Sequence, residues 1–130
     1  MAHPNEELMR RGYEAFMTGD LETVMGIFDE NIEWHVPGGQ SPLAGEYKGR
    51  EQVRGFLLRI FELSEGTFSV EVHDVLANDD HAVVMLRATA RRAGKSLDSN
   101  QCHVWHIKGS QATEFWGLDT NPFGTDEFWS

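Results

Sequence analysis

The chain of 130 residues predicts an α+β fold in which helices cover one face of a mostly antiparallel sheet. Two patterns indicate this fold: apolar residues recur every three or four positions in the first half, and every second position from Phe68 onward. Helices followed by a run of long strands are typical of folds that segregate their helices to one side of a sheet. Because no repeat or linker interrupts the sequence, residues 1–130 are predicted to form a single domain.

Three helices are predicted in the first half of the chain. The first has an apolar stripe over residues 8–17, with Asn5 as its N-cap. The second covers residues 21–28 and begins at Asp20, which is a suitable N-cap. The third extends from about Arg50 to Gly66, with apolar side chains along one face.

Five strands are predicted, and four of them follow the helices. The first is the short alternating segment at residues 32–36, which ends at the sequence Pro37-Gly38-Gly39. The other four alternate between apolar and polar residues and are separated by turns at residues 78–80, 93–95 and 108–110. These strands therefore form a meander with one face against the helices.

The composition excludes several classes of partner. Lys and Arg number 11 against 21 Asp and Glu, which gives a net charge of −10. Such a surface repels phosphate backbones and anionic lipid, so neither nucleic acid nor a membrane is expected as a partner. Cys102 is the single cysteine and forms no internal disulfide, and the polar N-terminus lacks the pattern of a signal peptide. We therefore expect a cytoplasmic protein.

Several segments, in this order along the chain, resemble SnoaL-like proteins of the ketosteroid-isomerase and polyketide-cyclase superfamily. The segments that carry the resemblance are Tyr13-Glu14-Ala15-Phe16 with Gly19-Asp20-Leu21, then Trp34-His35-Val36-Pro37-Gly38, residues 41–50, residues 73–77 and Glu114-Phe115-Trp116. The resemblance implies the nuclear transport factor 2-like, or cystatin-like, fold: a cone-shaped barrel whose curved sheet wraps around three helices. It also implies a pocket at the open end of the cone and a homodimer. It does not fix the activity, because this fold serves isomerases, cyclases, dehydratases, epoxide hydrolases and non-catalytic binding proteins.

The ketosteroid-isomerase mechanism is not supported by the residues at the matching positions. The aspartate base of those enzymes precedes a proline, and here the pair is Val36-Pro37. Their oxyanion-binding tyrosine falls at Gly12; Tyr13 is one residue away, a rotation of about 100° around the helix. Their second oxyanion-binding acid falls at His103.

The resemblance to SnoaL-like cyclases suggests a different catalytic pair. Their acid/base aspartate lies on the last strand, where Asp119 is the nearest candidate. Alternation places Asp119 on one face with Phe115 and Gly117, and His103 on one face with Trp105, and both faces map to the family's pocket. A carboxylate and an imidazole in an apolar pocket suit proton transfer next to a carbonyl. We predict that His103 and Asp119 supply the only convergent polar groups of this pocket.

Both residues also have a purely structural interpretation. In that interpretation His103 is a core histidine that is satisfied by hydrogen bonds, and Asp119 caps the strand before Asn121-Pro122.

A set of apolar side chains forms the predicted wall of the pocket. His35 is added to this set on the condition that a bulge before Pro37 turns it inward, since strict alternation points it away from Trp34. The same side chains also fit an ordinary core, because core and pocket wall are continuous in a cone. The predicted wall residues are Phe16, Trp34, Val36, Phe56, Ile60, Leu86 and Trp105.

No metal and no cofactor are predicted, because Cys/His ligand spacing and Gly-rich phosphate motifs are absent from the sequence. The predicted function is a cofactor-free cyclase, isomerase or dehydratase acting on a small apolar carbonyl compound, polyketide-like or steroid-like. A non-catalytic protein that binds an apolar small molecule is the alternative, and a structural dimer with a vestigial pocket is a third. We expect the homodimer to pack through the outer sheet face, around residues 85–91 and 96–106.

Overall fold

A computed structural model describes residues 2–130. Helices and strands are named here in chain order. The helices are α1 (Pro4–Met17), α2 (Leu21–Ile27), α3 (Arg50–Leu63) and α4 (Pro122–Trp129). The strands are β1 (Phe28–Val36), β2 (Gly45–Lys48), β3 (Ser69–Ala77), β4 (His81–Arg92), β5 (Lys95–Lys108) and β6 (Gln111–Asp119).

The six strands form one curved sheet in the order β2-β1-β6-β5-β4-β3. Neighbouring strands are antiparallel except for β1 and β6, the second and third strands in this order, which run parallel. Helix α1 packs against β3 and β4, and α3 packs against β1 and β2, so the helices lie on one side of the sheet. The predicted α+β class, with helices on one side of a mostly antiparallel sheet, is confirmed.

The structure contains two elements that the sequence analysis did not predict. Strand β2 lies between the predicted first strand and the predicted third helix, in a Pro- and Gly-containing stretch that reads as a loop in the sequence, and pairs with β1. Helix α4 is a fourth helix, with Pro122 in its first turn and an N-cap at Asn121, whose side chain accepts a hydrogen bond from the Gly124 amide at 3.3 Å. An N-cap followed by proline is a sequence signal for a helix start, so α4 was predictable.

The predicted N-cap of the second helix is confirmed and that of the first is wrong. Asp20 caps α2 by accepting from the Thr23 amide at 3.2 Å. Helix α1 is capped by His3, and Asn5 is buried within its first turn. The Asn5 amide group donates to the carbonyl oxygens of Asn78 and Asp79 at 2.9 and 3.1 Å. Asn5 therefore ties the start of α1 to the β3–β4 turn.

The core lies between the helices and the inner face of the sheet. Trp34 on β1 stacks on Phe115 of β6 with ring centroids 3.8 Å apart, because the parallel register places the two residues side by side. Trp105 on β5 packs edge-on against both rings. Among the described residues, no helix is long and apolar enough to cross a bilayer.

Candidate active site

A cavity of about 170 Å³ opens between the helices and the inner face of the sheet. This volume greatly exceeds the roughly 10–15 Å³ that a single water molecule needs. Most of its wall is apolar, and the aromatic side chains in it include Phe16, Phe28, Trp34, Phe56, Trp105 and Phe115. The cavity can therefore hold a small apolar molecule.

A hydrogen-bonded group of three side chains forms one polar region of the wall. The indole Nε1 of Trp105, which can only donate, bonds to the Tyr13 hydroxyl oxygen at 3.2 Å. The Tyr13 hydroxyl lies 2.5 Å from Nδ1 of His103. Because the tyrosine oxygen already accepts from Trp105, its own proton is free to be donated to His103 Nδ1. This arrangement assigns the proton of a neutral His103 to Nε2.

His103 is uncharged in this environment. Burial lowers its pKa to about 3, and the negative charge of Asp119 opposes that effect only in part. Burial also raises the pKa of the Tyr13 hydroxyl far above its ordinary value, so the hydroxyl keeps its proton. Nε2 of His103 has no hydrogen-bond partner within residues 2–130 and is available to donate to a molecule in the cavity.

Asp119 forms the second polar region on the same face of the sheet. Its carboxylate accepts hydrogen bonds from Ser99 Oγ at 2.6 Å, Gln101 Nε2 at 3.1 Å and the Asn121 amide at 2.7 Å. Asp119 pairs with Gln101 across β5 and β6, while His103 pairs with Gly117. Such diagonal neighbours are separated by about 7–8 Å, so both side chains border the same part of the cavity.

Gly117 keeps the space in front of His103 open. It lies directly across from His103 and carries no side chain. A Cβ at this position would lie 3.5 Å from the ring of Phe115 on the same strand, in the space that faces His103.

A loop between β1 and β2 is fastened to α4 at the edge of the cavity. The Asp126 carboxylate on α4 accepts from the backbone amides of Gly39 at 3.1 Å, Gln40 at 2.9 Å and Ser41 at 2.9 Å. These hydrogen bonds, led by those from Ser41 and Gln40, hold the pKa of Asp126 below its usual value. Gly38 has a φ of 141°, and a Cβ there would lie 2.5 Å from Asp126 Oδ1, so the contact requires glycine.

Residues 9–115 match the family model described as the SnoaL-like domain. The chain belongs to the SnoaL-like family. An uncharacterised protein of Mycobacterium tuberculosis is 34% identical over 125 residues, which cover 95% of each chain. Bal32a, from a soil-derived mobile gene cassette, is 38% identical with a TM-score of 0.92 over 97% of this chain and 96% of its own.

A more distant solved structure shares the fold. TerC, co-crystallized with polyporic acid, is 20% identical to this SnoaL-like chain, with a TM-score of 0.84 over 97% of this chain and 98% of its own.

Most residues that the sequence analysis assigned to the site of this SnoaL-like protein lie at one cavity. His103 and Asp119 both lie at its wall, on one face of the sheet. The other predicted residues at the wall are Phe16, Trp34, Val36, Phe56, Ile60 and Trp105.

Two predicted pocket residues lie elsewhere. Leu86 points inward from β4 but is buried in the core beside the cavity, and its strand partner Gln101 reaches the wall instead. His35 lies on the outer face, because the irregularity in β1 falls between Phe28 and Glu33 and leaves regular alternation up to Pro37. The bulge that would have turned His35 inward is therefore absent from this strand.

The expectation that His103 and Asp119 supply the only convergent polar groups is wrong. Tyr13, Gln101 and Asp126 also lie at the wall. Tyr13 was given no role, because the tyrosine of the ketosteroid isomerases falls at Gly12, one residue earlier. In the structure both Gly12 and Tyr13 border the cavity. The alternation of β5 placed Gln101 on the His103 face, so Gln101 was predictable.

Proposed function

We propose that this SnoaL-like protein is a cofactor-free enzyme that isomerises, cyclises or dehydrates a small apolar carbonyl compound by proton transfer. The observation that carries the proposal is the placement of His103 and Asp119 as diagonal neighbours on one face of an apolar cavity. Ionisable groups in apolar pockets are where proton transfer to and from carbon acids is feasible.

His103 is proposed to bind the carbonyl oxygen. Its Nε2–H is fixed by the bond from Tyr13 to Nδ1, and the ring is neutral. A neutral imidazole can stabilise a developing enolate by hydrogen bonding, and such a donor is more effective in a dry cavity than in water.

Asp119 is proposed to be the base. Its carboxylate takes a proton from the carbon next to the carbonyl; the C–H electrons form the new C=C bond, and the carbonyl electrons move to the oxygen held by His103. Return of the proton to another carbon completes an isomerisation. Attack of the enolate on a second carbonyl of the same molecule gives an alkoxide, which takes the proton back from Asp119 and completes a cyclisation. In a dehydration the proton passes from Asp119 to a β-hydroxyl, which leaves as water. Ser99 and Gln101 hold the carboxylate in position for these steps.

The substrate class follows from the wall of the cavity and from the charge of the protein. Aromatic side chains favour a flat, largely apolar molecule, and the net charge of −10 opposes a polyanionic one. Within residues 2–130, Trp34 Nε1 and Thr125 Oγ1 are buried without a hydrogen-bond partner, and both residues border the cavity. Polar oxygens on a bound molecule would satisfy them. The TerC structure with polyporic acid supports a small-molecule ligand for this fold.

One observation favours the alternative of a binding protein without turnover. The Asp119 carboxylate already accepts three hydrogen bonds, including one from the Asn121 amide that fastens the start of α4. An aspartate with this many partners can serve structure and ligand orientation alone.

Hydrogen–deuterium exchange at carbon separates the two functions without knowledge of the full substrate. A panel of cyclic ketones and aromatic polyketide-like compounds is first screened for quenching of tryptophan fluorescence. Bound compounds are then incubated in D₂O, and the loss of α-proton signals is followed by NMR. The enzyme should accelerate exchange, Asp119→Asn should abolish the acceleration while binding persists, and Asp98→Asn on the outer face should change neither. Binding with no acceleration by the wild type for any bound compound would favour the binding protein.

A further inference from the structure

A second group of ionisable side chains lies on the outer face of the sheet, away from the cavity. We call it the outer cluster and define it as Glu33, His35, Glu46, His106 and Glu114. The strand register brings it together: Glu33 and His106 both pair with Glu114, and His35 pairs with Glu46. Four strands, β2, β1, β6 and β5, therefore contribute to one small patch.

The imidazole of His35 is held between two carboxylates. Its Nδ1 lies 2.7 and 2.8 Å from the two carboxylate oxygens of Glu46, and its Nε2 lies 2.7 Å from Glu114 Oε2. One ligand atom each from Glu33, His35 and Glu114 lie within 4.8 Å of one another. Three potential ligand atoms are thus close enough to share a single ion.

The outer cluster carries more negative than positive charge. Three carboxylates lie in it. Within residues 2–130, Glu46 and Glu114 form ion pairs with His35, Glu114 also pairs with His106, and Glu33 forms no ion pair. Lys48 is the strand partner of Glu33, but no ion pair joins the two side chains. The carboxylates lie on a folded sheet that keeps them close, so a bound cation would relieve their repulsion.

The surroundings of His35 match those of a metal-binding histidine. Such histidines usually donate their second ring N–H to a carboxylate, which fixes the tautomer and the ring orientation. Glu46 supplies that acceptor at Nδ1 and leaves Nε2 directed toward Glu114. Trp116 stacks on the His35 ring at 5.2 Å and contacts the His106 ring edge-on at 4.8 Å, which restrains both imidazoles.

We propose that the outer cluster binds a divalent transition-metal ion of the zinc class through His35 Nε2 and the carboxylates of Glu33 and Glu114. One nitrogen and two carboxylate ligands suit Zn²⁺ or Co²⁺, and water completes the coordination. Glu46 orients His35, and His106 contacts the other oxygen of Glu114 at 3.5 Å. Sequence reasoning missed this site because Glu114 is 79 residues from His35, and only the sheet register brings them together.

Metal titration of untagged, chelator-treated protein tests the site. Zn²⁺ is added in a calorimeter, and Co²⁺ is followed by its visible absorption, which reports ligand number and geometry. We expect one saturable ion per chain, with release of a proton if His35 is protonated beforehand. Zinc should also shift the imidazole nitrogen signals of His35 in NMR spectra.

Single substitutions identify the side chains that bind the metal ion. His35→Gln and Glu114→Gln should abolish saturable binding, and Glu46→Gln should weaken it by about 10–100-fold, as expected for a carboxylate that orients a ligand. His3→Gln is the matched control, since His3 also pairs with a surface carboxylate, Asp79, at 2.9 Å. It should leave binding unchanged.

Two results would overturn the proposal. One is the absence of saturable Zn²⁺ or Co²⁺ binding by the wild type at millimolar metal. The other is saturable binding that persists in His35→Gln with unchanged affinity. Circular dichroism of each variant shows whether it is folded, and the NMR signals of His35 in the wild type decide the question if a variant is not.

Discussion

His103 and His35 occupy opposite faces of the same sheet and meet opposite electrostatic conditions. His103 points into the cavity, where burial lowers its pKa to about 3 and a tyrosine holds Nδ1. At His35 burial also lowers the pKa, but the hydrogen bonds to Glu114 and Glu46 outweigh it, and the pKa lies above the ordinary value. The inner face therefore keeps its imidazole neutral as a donor, and the outer face surrounds its imidazole with carboxylates that attract cations.

The largest difference between the two faces should appear when a tryptophan is removed from each. Trp34 is buried and stacks on Phe115, whereas Trp116 is half-buried on the outer face. Trp34→Ala should lower the free energy of unfolding by about 3–5 kcal/mol. Trp116→Ala should lower the free energy of unfolding by clearly less. Urea denaturation measures both, and equal losses would show that the outer face is as tightly packed as the core.

A fall in pH should destabilise the folded protein through protonation of His103. The folded-state pKa of His103 is about 3, below the ordinary 6.5, so the unfolded chain takes up this proton first as the pH falls. The contribution of His103 to the free energy of unfolding is fully present above pH 6.5. It decreases toward pH 3 by up to about 1.4 kcal/mol per pH unit. Urea denaturation between pH 7 and 5 should show this slope in the wild type. His103→Gln should flatten it, and an unchanged slope in that variant would assign the effect to other groups.

Removal of the Tyr13 hydroxyl should have a smaller effect on stability and a specific effect on His103. Tyr13→Phe removes the partner of His103 Nδ1 and of Trp105 Nε1, and the loss of two hydrogen bonds should lower the free energy of unfolding by about 1–3 kcal/mol. Without that bond the proton of the neutral ring is no longer fixed on Nε2. Imidazole nitrogen shifts in NMR spectra should show a single Nε2–H tautomer in the wild type and a mixture in Tyr13→Phe. A mixture in both would contradict the assignment of Tyr13 as the donor.

The fold was predictable from the sequence to a greater extent than the site. The change from helical to strand period, together with the SnoaL-like motifs, predicted the α+β class, and alternation placed His103 and Asp119 on the same face. The roles of Tyr13, Asp126 and Glu114 depend on contacts between residues far apart in the chain: Tyr13 and His103, for example, are 90 positions apart. Periodicity assigns a side chain to a face, but it does not determine which distant side chain it meets. His35 illustrates the limit within one strand, since its face depended on where the bulge in β1 falls.

The smallest change in stability is expected at the edge of the cavity, where α4 holds the β1–β2 loop. Asp126→Asn removes the charge that three backbone amides share, so the loop should open more often although the core is untouched. We expect a slight fall in the melting temperature but a faster release of any compound found by the fluorescence screen, because Ser41 of this loop and Asp126 both line the cavity. Stopped-flow displacement measures that release rate. Glu127→Gln, one residue along α4 and exposed, is the matched control and should leave the rate unchanged. If Asp126→Asn releases ligand at the wild-type rate, the loop does not control access, and the contact serves only to fasten α4.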